Sequence, residues 1–147
     1  MSIPFCLVTV DGVRSIAGGT TTGINWATVI EATESAFFDA NSVTHLWVNT
    51  QANYVRVSAG LSWDNSAASD NGHTMIAEIY RNGSSVAGSR GASKGALSTA
   101  TDQMNLPPAI IPVSSGDRLS VAVFQNSGVN KNVNQANATW FCMELIG

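Results

Sequence analysis

The stretch 45–64, H-L-W-V-N-T-Q-A-N-Y-V-R-V-S-A-G-L-S-W-D, constrains this chain more than any other. From Asn53 onward it alternates strictly. Val55, Val57, Ala59, Leu61 and Trp63 share one parity; Tyr54, Arg56, Ser58, Gly60 and Ser62 share the other. Successive side chains of a strand point to opposite faces, so this period of two predicts a strand with two unlike faces. One face is apolar and belongs in a core. The other carries a Tyr and an Arg, and must meet something other than plain hydrocarbon.

The same logic yields further strands. Residues 3–10 read as a first strand ended by Asp11-Gly12, followed by a polar connector at 17–23 and a short strand carrying Trp26 at 24–30. Residues 31–41 place Glu31, Glu34 and Asp39 around Phe37-Phe38 without an apolar stripe, which predicts an irregular connection with a brief extended piece. A strand at 42–48 and a turn at 49–53 lead into the alternating stretch. Residues 64–73 form a loop of turn-tolerant residues. In 74–80, Met75, Ala77 and Ile79 oppose Ile76, Glu78 and Tyr80, and Asn82-Gly83 is the strongest short signal for a type I′ hairpin turn.

Residues 88–101, small and polar, read as a long exposed loop. Residues 103–113 are extended, with Pro107, Pro108 and Pro112 placing them at an edge. After a turn at 114–117, residues 118–125 send Leu119, Val121 and Val123 inward. A polar loop at 126–137 precedes the last strand, 138–146. No helical period intervenes. About eight to ten antiparallel strands predict an all-β, two-sheet jelly-roll sandwich, with residues 1–147 as a single domain.

Composition narrows the function. Charged residues make up 12% of the chain, against a usual quarter or so. Such a surface suits packing against copies of itself or reading neutral ligands. The net charge of −3 argues against nucleic acid, which rewards clustered Lys and Arg. No run of about 18 apolar residues exists, so no membrane insertion is expected. The N-terminal M-S-I-P-F-C-L-V lacks a basic region and a cleavage site, so a strand is preferred to a signal peptide. Cys6 and Cys142 are too few for a disulfide framework and lack metal-ligand spacing, which favours synthesis in a reducing cytoplasm.

Catalytic signatures are missing from the sequence. His45 and His73 fall on a strand start and a loop, with no nucleophile elbow and no local Cys-His pairing. The run 88–95, G-S-R-G-A-S-K-G, lacks the phosphate-loop spacing and puts Gly95 where a hydroxyl should follow the lysine, so a surface loop is preferred. Asp64, Asn65, Asp70 and Asn71 offer oxygens to Ca²⁺, but their spacing is not that of an EF-hand, and turn chemistry is preferred. No cofactor is expected. Of the four tryptophans only Trp63 has core parity; Trp26, Trp47 and Trp140 stay ambiguous between packing and a sugar platform.

The order of these signals resembles the C1q/TNF-like jelly roll, most of all its versions in phage virion proteins. The resemblance covers about residue 24 to the end. It rests on Phe38-Asp39, Tyr54 through Trp63, Ile79-Tyr80-Arg81-Asn82-Gly83, Gly116 through Val121, Gln125-Asn126-Ser127-Gly128 and Thr139 through Gly147. It implies a ten-strand sandwich that forms a compact homotrimer through one sheet and binds rather than catalyses. Residues 1–23 carry neither a collagen-like repeat nor an apolar span, so neither a stalk nor an anchor is expected. The expected role is therefore a virion part made in the host cytoplasm: a capsid decoration, a fibre or a receptor-binding head. Its partners would be itself, other virion proteins and a host surface glycan. The rival is a secreted or surface-displayed bacterial carbohydrate-binding module.

The jelly-roll order further implies that first and last strands are adjacent and antiparallel, which puts Cys6 and Cys142 on one sheet, whether near each other or apart; cytoplasmic synthesis is expected to keep them reduced. It also implies that the strands at 54–63, 118–125 and 140–146 share a sheet. Parity then gathers Tyr54, Arg56, Ser58, Ser120, Phe124, Trp140 and Glu144 on one outer surface, the expected trimer interface. Arg56 and Glu144 would pair there, within a subunit or across the threefold; a solvated sheet is the alternative.

Overall fold

A computed structural model describes residues 3–26, 28–32, 38–39, 45–48, 53–64, 73–94, 101–134 and 139–146. Among them there are fifteen strands, no helix and no cis peptide. The strands are β1 (Phe5–Thr9), β2 (Arg14–Ile16), β3 (Thr22–Gly23), β4 (Thr28–Ala32), β5 (Phe38–Asp39), β6 (Leu46–Val48), β7 (Tyr54–Asp64) and β8 (Thr74–Arg81). They continue with β9 (Ser84–Ser85), β10 (Gly91–Lys94), β11 (Thr101–Asn105), β12 (Ala109–Pro112), β13 (Arg118–Gln125), β14 (Lys131–Val133) and β15 (Trp140–Leu145).

They form two antiparallel sheets. Sheet A runs β2-β14-β7-β15-β1-β4, with β11 and β12 on the other side of β7; sheet B runs β10-β8-β13-β6-β5, with β3 on β13 and β9 on β8. The count exceeds the expected eight to ten because extended runs are interrupted. Pro107 and Pro108, which have no N–H to donate, separate β11 from β12, and both pieces pair only with β7 at the sheet edge.

The alternation of β7 sorts its side chains as its sequence requires. Val55, Val57, Ala59, Leu61 and Trp63 are at most 1% exposed. Phe141 and Met143 of β15 join them from the same sheet, and Ala77, Ile79, Leu119, Val121 and Val123 meet them from sheet B. Trp26 packs on Phe141 with ring centroids 5.8 Å apart, so Trp26 and Trp63 are core residues. Fully burying one such side chain contributes about 1.5–3 kcal/mol, so this interior dominates stability.

Turns follow their chemistry. Asn82 (φ 52°) and Gly83 (φ 84°) adopt the left-handed conformations of a type I′ turn between β8 and β9. Asp117, 8% exposed, links two turns. Its carboxylate accepts hydrogen bonds from Arg81 Nε (2.9 Å), Asn82 Nδ2 (2.7 Å) and the Ser114 N–H (2.8 Å).

Three elements depart from expectation. The region 88–101 contains β10, which pairs with β8, so it is not wholly a loop. Ser89 is buried there, its hydroxyl accepting from Ile79 N–H and donating to Val86 carbonyl. Polar residues 17–23 and 126–137 hide β3 and β14. The strand expected at 24–30 is displaced to β4, while Ile24 and Trp26 are buried outside any strand. The candidate calcium residues Asn65, Asp70 and Asn71 lie outside the described residues, as does the side chain of Asp64.

Candidate interaction face

Because Val55, Val57 and Ala59 point inward, Tyr54, Arg56, Ser58 and Gly60 point out of sheet A. The register of β7 with β15 sets Glu144 opposite Arg56, Cys142 opposite Ser58 and Trp140 opposite Gly60. β1 extends the rows, with Phe5 opposite Glu144 and Leu7 opposite Cys142. On the other side of β7, Ile110 stands opposite Arg56 and Asn105 opposite Gly60. Tyr54, Arg56, Ser58, Trp140 and Glu144 therefore share one surface.

Ser120 and Phe124 do not join it. The strand that carries them, β13, pairs with β8, β6 and β3 in sheet B, with Ser120 opposite Tyr80 and Phe124 opposite Ile76. Both side chains point away from the core as their parity requires, but β13 belongs to sheet B, so they lie on the opposite outer surface. Alternation states which residues oppose the core. It is blind to which side of the core a strand occupies.

At the centre of the sheet A face, Arg56 Nε donates to Glu144 Oε2 at 2.5 Å. This hydrogen bond, with the carboxylate charge, raises the Arg56 pKa above its ordinary value. Beside it the Trp140 indole closes over Gly60: a Cβ on residue 60 would lie 2.6 Å from Trp140 Nε1 and 2.9 Å from Asn105 Oδ1. A glycine is needed there because two neighbouring strands place side chains across its Cα.

One end of the face is apolar. Ile3, Tyr54, Ile110 and Ile146 are 55%, 49%, 65% and 40% exposed, and among the described residues only Val13 and Val129 are comparably exposed large hydrophobics. Ile146 joins Tyr54 through its backbone N–H, and Leu145 N–H bonds Pro4 carbonyl, which ties residues 4, 54, 145 and 146 together at this end of the face. Ile110, Ile146, Phe5 and Leu7 were not anticipated. For Ile110 the signal was available: it alternates with Ile111, which is 2% exposed.

The cysteines are free, in adjacent strands but on opposite faces. Cys6 stands opposite Met143 and points into the core, whereas Cys142 stands opposite Leu7 and points outward. The expected shared sheet holds. A one-residue offset in register separates the sulfurs across it. Burial pushes both thiols up to about 11.

No group of three or more acidic, Cys or His side chains with metal-site geometry occurs among the described residues. The sequence matches no family model and no curated protein. Solved structures do match. Murine APRIL at pH 5.0 superposes with a TM-score of 0.74 at 11% identity, covering 99% of this chain and 100% of that one. Eiger TNF from S. frugiperda gives 0.63 at 12% identity, covering 99% and 92%. At such identities the shared property is the path of the backbone, and the chain has the TNF-like jelly-roll fold.

Proposed function

We propose that this protein is a non-enzymatic, self-associating jelly-roll module, a homotrimeric virion part of a phage that decorates the capsid or forms a fibre or receptor-binding head. The observation that carries self-association is the sheet A face, where the exposed Tyr54, Ile110 and Ile146 lie beside the Arg56–Glu144 pair. Contiguous exposed apolar groups around a complementary ion pair are the anatomy of a subunit contact. The fold supports the trimer, and the sequence resemblance supports the virion setting. Synthesis in the host cytoplasm accords with two free cysteines.

Light scattering coupled to gel filtration tests the assembly. The expected particle has three times the 15.4 kDa chain mass. A monomer at micromolar concentration overturns self-association. Recovery of the protein in purified virions, by mass spectrometry, tests the setting. The rival bacterial carbohydrate-binding module predicts instead a monomer that binds sugar outside any virus.

A further inference from the structure

The outer face of sheet B carries a depression that self-association through sheet A leaves unused. Its cause is a run of small side chains along the middle of the face. Ala122 of β13 stands opposite Gly23 of β3, and Ser120 precedes it on the same side. A Cβ on Gly23 would meet nothing within 4 Å, so the floor is open there. Larger groups surround it: Tyr80 of β8 along one side, and His45 and Arg118 at one end. The Arg118 guanidinium lies on Trp47, 4.5 Å from the ring centroid, and His45 packs against the same indole in a tilted arrangement at 5.1 Å.

This hollow measures about 850 Å³, within the span of small-molecule sites. A second, of about 230 Å³, adjoins it through Tyr80 and Ala122 and continues over Ile76 and Phe124. Together they make an elongated trough with Tyr80 at its middle.

The lining carries little net charge. Asp117 is engaged by Arg81, Asn82 and Ser114. Glu78 pairs with Arg90 at 3.4 Å. Burial, with the Arg118 charge, holds His45 below its ordinary value of 6.5, so its imidazole is neutral at pH 7. The strands beneath are paired on both sides, β8 between β10 and β13, and β13 between β8 and the β6/β3 pieces. An extended peptide would thus find no open ladder edge to extend. Aromatic faces, hydroxyl and amide groups and near-neutrality match a pyranose chain. Its C–H faces stack on rings, and its hydroxyls exchange hydrogen bonds with neutral donors and acceptors.

We propose that the trough on sheet B binds a neutral oligosaccharide, with Tyr80 as the stacking platform and the Ser120 hydroxyl and Arg118 guanidinium as hydrogen-bonding groups. The site is independent of subunit contacts. Should sheet A close the trimer, three troughs would face outward and bind a polymer or glycan-coated surface multivalently.

The test is a titration of the ¹⁵N-labelled full chain with neutral hexasaccharides of glucose, mannose and N-acetylglucosamine, and with an extended Ser/Thr hexapeptide. Saturable amide shifts centred on Gly23, Ser120 and Ala122 with at least one saccharide are expected. Tyr80→Ala weakens that binding about tenfold. Ser120→Trp, or Gly23→Gln should the tryptophan variant not fold, fills the trough and abolishes binding. Absence of saturable shifts with all three saccharides overturns the site, as do shifts confined to the Tyr54–Trp140 face, shifts with the peptide alone, or binding undiminished in a folded blocked variant. Light scattering on the same samples reads the trimer separately, so loss of one property does not imply loss of the other.

Discussion

Arg56 and Glu144 stand directly opposite each other in the pairing of β7 with β15, and the guanidinium Nε donates to the carboxylate at 2.5 Å. The pair sits amid Tyr54, Ile110 and Trp140, with Arg56 half exposed. An ion pair left in water contributes little, whereas one closed off by a second subunit loses its solvent and becomes sensitive to removal of either partner.

Arg56→Ala is accordingly expected to shift the light-scattering mass from trimer towards monomer. Arg90→Ala, on sheet B, should leave it unchanged. The exchanged pair Arg56→Glu with Glu144→Arg should recover part of the trimer. Equal, negligible effects of Arg56→Ala and Arg90→Ala would show that the subunits meet elsewhere.

Gly60→Ala forces a methyl to within 2.6 Å of the Trp140 indole nitrogen. Either the indole leaves the sheet or the backbone separates, at a cost of about 1–3 kcal/mol. Gly23→Ala, in open space, should cost far less. Urea unfolding of the two variants measures the difference, and equal midpoints would refute the close approach at Gly60.

Asp117 gives the fold a defined acid sensitivity. Burial raises its pKa, but hydrogen bonds from Asn82, Ser114 and Arg81, with the Arg81 charge, outweigh burial and hold it below 3.8. A carboxyl depressed in the folded state stabilises fully above its unfolded pKa and loses that contribution as pH falls through the folded value. Asp117→Asn should therefore cost about 1–2 kcal/mol at pH 7, and the deficit should shrink below about pH 4. Melting temperatures of both proteins across pH 3–7 check this; a constant difference would contradict it.

Opposite placement of the sulfurs predicts that no bridge forms even under oxidation. Both thiols should react with a maleimide after denaturation without reductant. In the native protein Cys6, 1% exposed, should stay unreactive. Cys142 lies on the face assigned to subunit contact, so its labelling should accelerate in the Arg56→Ala variant. Equal Cys142 rates in trimer and dissociated variant would place it outside the contact.

What this sequence determines by itself is local. Pleat geometry requires Val55, Val57, Leu61, Leu119, Val121 and Phe141 to point one way along their strands, and the left-handed tolerance of Asn82 and Gly83 requires their turn; alternation and turn chemistry are legible without any partner. The tertiary structure decided what depends on distant pairing. Arg56 meets Glu144 across 88 residues of chain, and β13, patterned like β7, went to the other sheet. That choice moved Ser120 and Phe124 to the far surface. Residues 91–94, G-A-S-K, became β10 because β8 offered an unpaired edge, although nothing in their own pattern marks a strand. The one-residue offset of Cys6 from Cys142 arises only once β1 and β15 lie in register, and the closure of Trp140 over Gly60 only once β15 pairs with β7. Side-chain direction is a property of a single backbone, whereas register and sheet membership arise from the packing of the whole chain.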